Sequence, residues 1–364
     1  MSDALVLLIL LLFGASAFYF VFERLKARQG ERDSSLYVQA LRDLLDGREE
    51  AAFGKLREVV ADDTTNVDAY LRLGQILRNY QQPERALQIH KDLTLRSGLT
   101  KNQKSAILRQ LAIDYRTVGD ISTAEKALVE LVSIDPNDRT VMAELMRIQE
   151  QTGRWEDAYA TAEKILKIEQ NKSKRPLAKI KLRQGMSLAA KREFHKARIV
   201  FKEAIPLDPV LIDAYLAIGD AYVEERRFED ALEFWGKLLT VAPEQADRAV
   251  DRMKRTLFEL GRYGDIVEFC QSILVKAPKS IEARKTLARY YEKKGDSAQA
   301  LELLEAVVED NPQDAIAILE LGRLYMERGD SRKLDMLVRR LSRPAKASAN
   351  PVNLNDSTKT PLFV

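Results

Sequence analysis

At 364 residues, with 58 Lys+Arg against 55 Asp+Glu, the chain carries a formal net charge of only +3. That near balance excludes the electrostatic footprint of a nucleic-acid binder, and a lone cysteine, Cys270, excludes an internal disulfide. Length alone would allow two or three domains.

Ala4–Phe22 is a run of nineteen residues without a charge. As a helix it would be about 28 Å long, close to the hydrocarbon thickness of a bilayer. Arg24, Lys26, Arg28 and Arg32 follow directly. The pattern predicts a transmembrane anchor over 1–23 and a basic juxtamembrane linker over 24–33. The basic flank belongs in the cytoplasm, which gives a short N-out tail. Ala15-Ser16-Ala17 also fits a signal-peptidase site, but no basic segment precedes the run and it continues to Phe22.

From residue 34 to about 342 the chain repeats itself with a period of about 34 residues. Each unit reads as two helices. A small residue in the first (Gly74, Ala112, Gly185, Gly219, Ala288, Gly322) leaves room where the second crosses it. An aliphatic or aromatic residue three positions on (Leu77, Tyr115, Leu188, Tyr222, Leu257, Tyr291, Tyr325) fills the space between helices. Gly47, Gly119, Gly153, Gly261, Gly295 and Gly329 suit left-handed helix ends. An alanine then opens the second helix (Ala52, Ala86, Ala124, Ala158, Ala197, Ala231, Ala300). Pro136, Pro209, Pro243, Pro278 and Pro312 end it.

Units are expected near residues 33, 67, 105, 139, 178, 212, 247, 281 and 315. Longer steps at Gly98–Asn102 and Asn171–Arg175 read as loop extensions. Unit 7 is degenerate, with Ile266 at the usual alanine and Cys270 at the usual aromatic. This is the tetratricopeptide (TPR) pattern, and it predicts an all-α fold: an amino-terminal transmembrane helix, then a right-handed superhelical solenoid of about nine helix pairs. Residues 343–364, rich in Pro, Asn, Ser and Thr, read as a disordered tail.

No catalytic constellation emerges. His90 and His195 are more than a hundred residues apart, no second cysteine completes a soft metal site, and the carboxylates read as scattered over solvated helix faces. Phosphate loops, nucleophile elbows and HExxH are absent. The chain is expected not to be an enzyme, with no cofactor, no metal and no small-molecule substrate.

In a TPR array partner segments lie on the face made by the first helices. The second, fifth, ninth and twelfth positions of each unit give its lining: Asp68, Leu71, Gln75 and Arg78 in unit 2, Ala106, Arg109, Ile113 and Arg116 in unit 3, Thr140, Ala143, Arg147 and Glu150 in unit 4. Lys179, Leu182, Met186 and Ala189 follow in unit 5, then Asp213, Leu216, Asp220 and Val223 in unit 6. Arg78, Arg109, Arg116, Arg147 and Lys179, with Gln75 beside them, form a candidate basic stripe for an acidic partner segment. The alternative is that these are ordinary solvated charges, partly paired with neighbours such as Glu150.

Leu71-Arg72-Leu73-Gly74-Gln75-Ile76-Leu77-Arg78, then Glu84-Arg85-Ala86-Leu87-Gln88-Ile89-His90 and Leu99-Thr100, resemble the second repeat of the lipopolysaccharide assembly protein B (LapB) family. Leu111-Ala112-Ile113-Asp114-Tyr115 with Gly119 and Ala124-Glu125 resembles the third, and Tyr37-Val38 fits the first. The resemblance covers about residues 1–340. It implies a bacterial inner-membrane adaptor with cytoplasmic repeats that presents the lipid A deacetylase LpxC to the membrane protease FtsH and so limits lipopolysaccharide synthesis. Members usually end in a rubredoxin-like module with two CxxC pairs. This chain has no CxxC, so that metal site does not carry over. The alternative function is a general TPR scaffold for another envelope or secretion complex.

Overall fold

The computed structural model describes residues 36–342. The apolar run 4–22, the basic linker and the tail from 343, expected above as anchor, linker and disordered end, lie outside the described residues. Among the described residues no helix is long and apolar enough to cross a membrane.

Everything described is helix and short turn. The first helices of successive units are α1 (residues 36–45), α3 (Val67–Asn79), α5 (Lys101–Thr117), α7 (Arg139–Gln151), α9 (Arg175–Ala190), α11 (Ile212–Glu224), α14 (Asp247–Glu259), α16 (Ile281–Lys293) and α18 (Ala315–Glu327). The second helices are α2 (Glu49–Asp62), α4 (Pro83–Thr94), α6 (Ile121–Ile134), α8 (Trp155–Ile168), α10 (Phe194–Ala204), α12 (Phe228–Gly236), α15 (Asp265–Lys276), α17 (Ser297–Asp310) and α19 (Ser331–Ser342). Six of the expected starts, 67, 139, 212, 247, 281 and 315, coincide with helix starts.

Two details differ from expectation. Lys101 and Asn102 are not loop: Thr100 and Gln103 form a reciprocal capping box that starts α5 at Lys101 and makes it seventeen residues long. The second helix of unit 6 stops at Gly236 and resumes as the short α13 (Leu238–Val241) before a 3-10 turn at Pro243–Gln245. Glycine weakens a helix interior, and this break sits beside one.

The chain divides into two compact units, described as residues 36–180 and 181–342, with the division inside α9. In the first, Ala40, Ala52, Leu56, Val59, Ala69 and Leu73 form one core cluster. Val67, Leu71, Leu93, Ile107 and Leu111 form the next, and α5–α7 supply a third around Leu128, Leu131 and Leu145. In the second, Ala288, Leu301, Leu304, Val307, Leu321 and Tyr325 are the centre of the core. Each fully buried Leu or Val contributes on the order of 1.5–3 kcal/mol, and no helix pair could bury its apolar face without the next. All seven expected alanines, Ala52 to Ala300, are fully buried.

The small residue and the side chain it faces obey a reciprocal size rule. The partner stands sixteen residues on, in the second helix. Gly74 faces His90, Gly185 faces Phe201 and Gly219 faces Trp235, and a Cβ on any of these glycines would overlap the ring. Where the first helix has alanine the partner is leucine: Ala40 with Leu56, Ala112 with Leu128, Ala288 with Leu304, each pair within one cluster. Where the first helix carries a long side chain at this position, the residue sixteen on is small: Ala162 after Met146 and Cys270 after Lys254. Close packing at near-crystal density demands such compensation. Gly322 departs from the expected role, since a Cβ there would meet Leu334 and Leu337 at an ordinary 3.8 Å.

The turn after the first helix needs a left-handed residue. Gly47, Gly119, Gly153, Gly261, Gly295 and Gly329 have φ between 69° and 86°. Units 2, 5 and 6 put Gln81, Arg192 and Arg226 there instead, at φ 59°, 61° and 57°. Side chains with a Cβ are strained in that region by about 1–2 kcal/mol. Arg226 is exposed and makes no ion pair among the described residues. Replacing it with glycine, Arg226→Gly, is expected to stabilise the fold by about 1 kcal/mol. Chemical denaturation of both proteins measures this, and an unchanged or lower midpoint contradicts it.

Candidate functional site

The first-helix face of residues 36–180 carries the basic stripe, and the structure divides it. Arg78, near the end of α3, is spent inside the fold. Its guanidinium pairs with Asp114 of α5, and its other nitrogen donates to Gln110 Oε1 at 2.8 Å. The second Asp114 oxygen meets Nδ1 of His90 on α4, and His90 Nε2 lies 3.3 Å from the Leu71 carbonyl. Both ring nitrogens therefore face acceptors. His90 and Asp114 are 0% exposed, so a charged network pins α3, α4 and α5 together, in the space that Gly74 leaves open. The expectation that carboxylates lie on solvated faces fails at Asp114. It fails because the ring of His90, the large partner of Gly74, brings a polar edge into the core and requires an acceptor there.

Arg109 is likewise engaged, 2.8 Å from Asp138. Asp138 caps α7, accepting from the amides of Thr140 at 3.0 Å and Val141 at 3.1 Å. Partial burial works to raise its pKa, but the Thr140 hydroxyl, the Arg109 guanidinium and the Val141 amide outweigh it and hold the carboxyl at about 2. Arg116, Arg147 and Lys179 are exposed and make no ion pair among the described residues, while Gln75 is half-buried. The open part of the stripe is thus Arg116, Arg147 and Lys179. Three of the five fifth positions expected to line the face do not: Leu71, Leu182 and Leu216 are 6%, 7% and 3% exposed and belong to the core, while Arg109 and Ala143 are half-buried.

In residues 181–342 the same face is stitched by ion pairs between neighbouring first helices. Arg248 of α14 meets Asp213 of α11 at 2.5 Å, and Arg252 meets Asp220 at 2.8 Å. Further on, Arg289 of α16 meets Glu320 of α18 at 2.7 Å, and Arg323 of α18 meets Glu292 of α16 at 2.7 Å. Exposed pairs of this kind contribute about 0–1 kcal/mol each, so they set register more than stability. Beside them, at the ends of α14 and α16, lies an open groove of about 610 Å³ floored by Leu257, Phe258, Tyr263 and Tyr290. The lining register expected for units 2 to 6, carried one unit further, puts Phe258 at the twelfth position of unit 7.

Neither histidine nor the cysteine forms a reactive centre. His195 is exposed, with Nδ1 3.2 Å from the Arg198 guanidinium. Burial, with Asp247 nearby, pushes the Cys270 thiol up to about 12, a packed side chain rather than a nucleophile. Among the described residues no three His, Cys, Asp or Glu side chains are grouped to hold a metal ion.

The tetratricopeptide-repeat family matches residues 257–317 and 291–333. Lipopolysaccharide assembly protein B of Escherichia coli strain K12 is 24% identical over 272 residues, 73% of this chain and 70% of that protein. The protein of the same name from Haemophilus influenzae is 26% identical over 316 residues, 82% of this chain and 78% of its own length. A solved tetratricopeptide repeat protein from Parabacteroides merdae aligns over 81% of this chain and 99% of its own, with a TM-score of 0.38 and 13% identity. Tetratricopeptide repeats are interaction scaffolds, and residues 257–333 match that repeat. Among the described residues the fold is all-helical, and over most of its length the chain is similar to proteins named lipopolysaccharide assembly protein B.

Proposed function

We propose that the chain is an adaptor of lipopolysaccharide assembly, tethered to the bacterial inner membrane by residues 4–22 with its repeats in the cytoplasm. What carries this reading is the likeness to proteins named for lipopolysaccharide assembly, which spans 73–82% of the chain and most of the repeats. The basic flank at Arg24, Lys26, Arg28 and Arg32 supports the orientation. The client is the lipid A deacetylase LpxC and the recipient is the membrane protease FtsH. The mechanism is proximity: confining a client-binding scaffold to the membrane plane raises the local concentration of client and protease together. Arg116, Arg147 and Lys179 receive an acidic segment of the client.

Crosslinked affinity purification of the full chain from native membranes tests the reading. Recovery of the deacetylase with the protease is expected, and it should be lost on deleting residues 1–30. Recovery of the deacetylase alone should fall about tenfold for Arg116→Glu/Arg147→Glu, by loss of charge-assisted bonds. A different, reproducible partner set from an envelope or secretion complex would overturn the reading in favour of a general scaffold.

A further inference from the structure

The groove at the degenerate unit 7 has features that core packing does not explain. Phe258 and Tyr263 are 64% and 56% exposed, and among the described residues no other aromatic side chain is more than half exposed. Their rings nevertheless meet edge to face, centroids 5.2 Å apart at 77°. A fixed aromatic pair standing in water is what an interface hot spot looks like before its partner arrives. Phe258 is not needed by the core of α14, which Ala249, Val250, Met253 and Leu257 build.

The rim supplies the sign of the partner. Lys254, Arg289, Lys293 and Arg323 line it against only Glu292 and Glu320. Both carboxylates are already held, Glu320 by Arg289 and Glu292 by Arg323, each at 2.7 Å. Lys254 is held by Asp251 at 2.6 Å. Lys293 is exposed and makes no ion pair among the described residues. The ninth positions of the last three units, Arg255, Arg289 and Arg323, repeat at a spacing of 34 residues and keep this face basic. Arg323 is shared with Glu327 as well, at 2.8 Å, which leaves Lys293 as the uncommitted rim cation beside the aromatic floor.

The geometry points to a second partner site here: a groove that takes an acidic segment of another protein, with one large aromatic or aliphatic anchor seated against Phe258 and Tyr263 and a carboxylate on Lys293. The inference uses the adaptor reading only in expecting a protein partner. It is separate from the Arg116–Arg147 surface and is tested on the purified chain alone.

Three fluorescent peptides of equal length serve as probes: an acidic one with a central Phe, the same with Ser in its place, and a Lys-rich one with the central Phe. Anisotropy titration with the full chain in detergent should give the acidic Phe peptide a Kd on the order of 10 µM, at least about tenfold tighter than either control. The exposed double variant Phe258→Ser/Tyr263→Ser should weaken it at least about tenfold with an unchanged circular-dichroism melt. Lys293→Glu and added salt should each weaken it severalfold, while Arg116→Glu/Arg147→Glu should leave it alone. Absent binding, equal binding of the three peptides, or binding indifferent to the double variant overturns the site. A concentration-dependent dimer abolished by the double variant also overturns it, by making a second copy the occupant. None of these outcomes alters the membrane purification result.

Discussion

Asp114→Ala is expected to destabilise the helices α3–α5 by about 3–5 kcal/mol, the range for removing one member of a buried charged pair. The carboxylate is fully buried and accepts from two donors on two different helices, Arg78 and His90. Deleting it leaves the Arg78 guanidinium, only 16% exposed, with the neutral Gln110 as acceptor and nothing to neutralise its charge, and the His90 Nδ1 without an acceptor in a water-poor site. Asp114→Asn keeps an acceptor and should lose less, about 1–3 kcal/mol. Hydrogen exchange of the α3–α5 amides reads the local opening energy directly. A loss below about 1 kcal/mol for the alanine variant would mean that the network contributes nothing net, as some buried ion pairs do.

The second large effect concerns Gly219 and Trp235. The indole is 1% exposed, lies over Gly219 and donates from Nε1 to the Leu216 carbonyl at 3.2 Å. Gly219→Ala forces a methyl into the ring and should cost about 1–3 kcal/mol. Trp235→Leu opens a cavity and should cost about 3 kcal/mol or more, by analogy with large-to-small core changes. The double variant Gly219→Ala/Trp235→Leu recreates the pairing already present at Ala40–Leu56, Ala112–Leu128 and Ala288–Leu304. It should therefore be less damaging than the two single losses added together, with a coupling of about 1–3 kcal/mol in its favour. Urea unfolding of the four proteins closes the cycle. Additive losses would show that the size rule is a coincidence of composition.

The helix boundaries were legible because the period of small, aromatic and turn residues depends only on how one helix pair packs, and Val67, Arg139, Ile212, Asp247, Ile281 and Ala315 all begin helices where that period puts them. The start of α5 was also legible in principle, since Thr100 and Gln103 have the capping-box spacing. The break after Gly236 was signalled by the glycine alone. The candidate site was harder to see. Whether Arg78 or Arg116 is open to a partner depends on what the adjoining unit offers across the pair, and a single-unit register holds no such information. The burial of Leu71, Leu182 and Leu216 follows from the same cause: neighbouring units cover positions that an isolated helix would expose.

The size rule has a consequence for how such a chain can grow and recombine. The unit of exchange is the helix pair. Moving α11 alone beside α6 would set Gly219 opposite Leu128 and leave a void, whereas α5 beside α12 would drive Ala112 into the indole of Trp235. Whole-pair duplication or deletion carries the matched volumes together and leaves neighbouring cores intact. Substitutions at the two matched positions are accordingly free to drift only in step, so a lineage that enlarges one must first pass through, or simultaneously acquire, the reduction of the other.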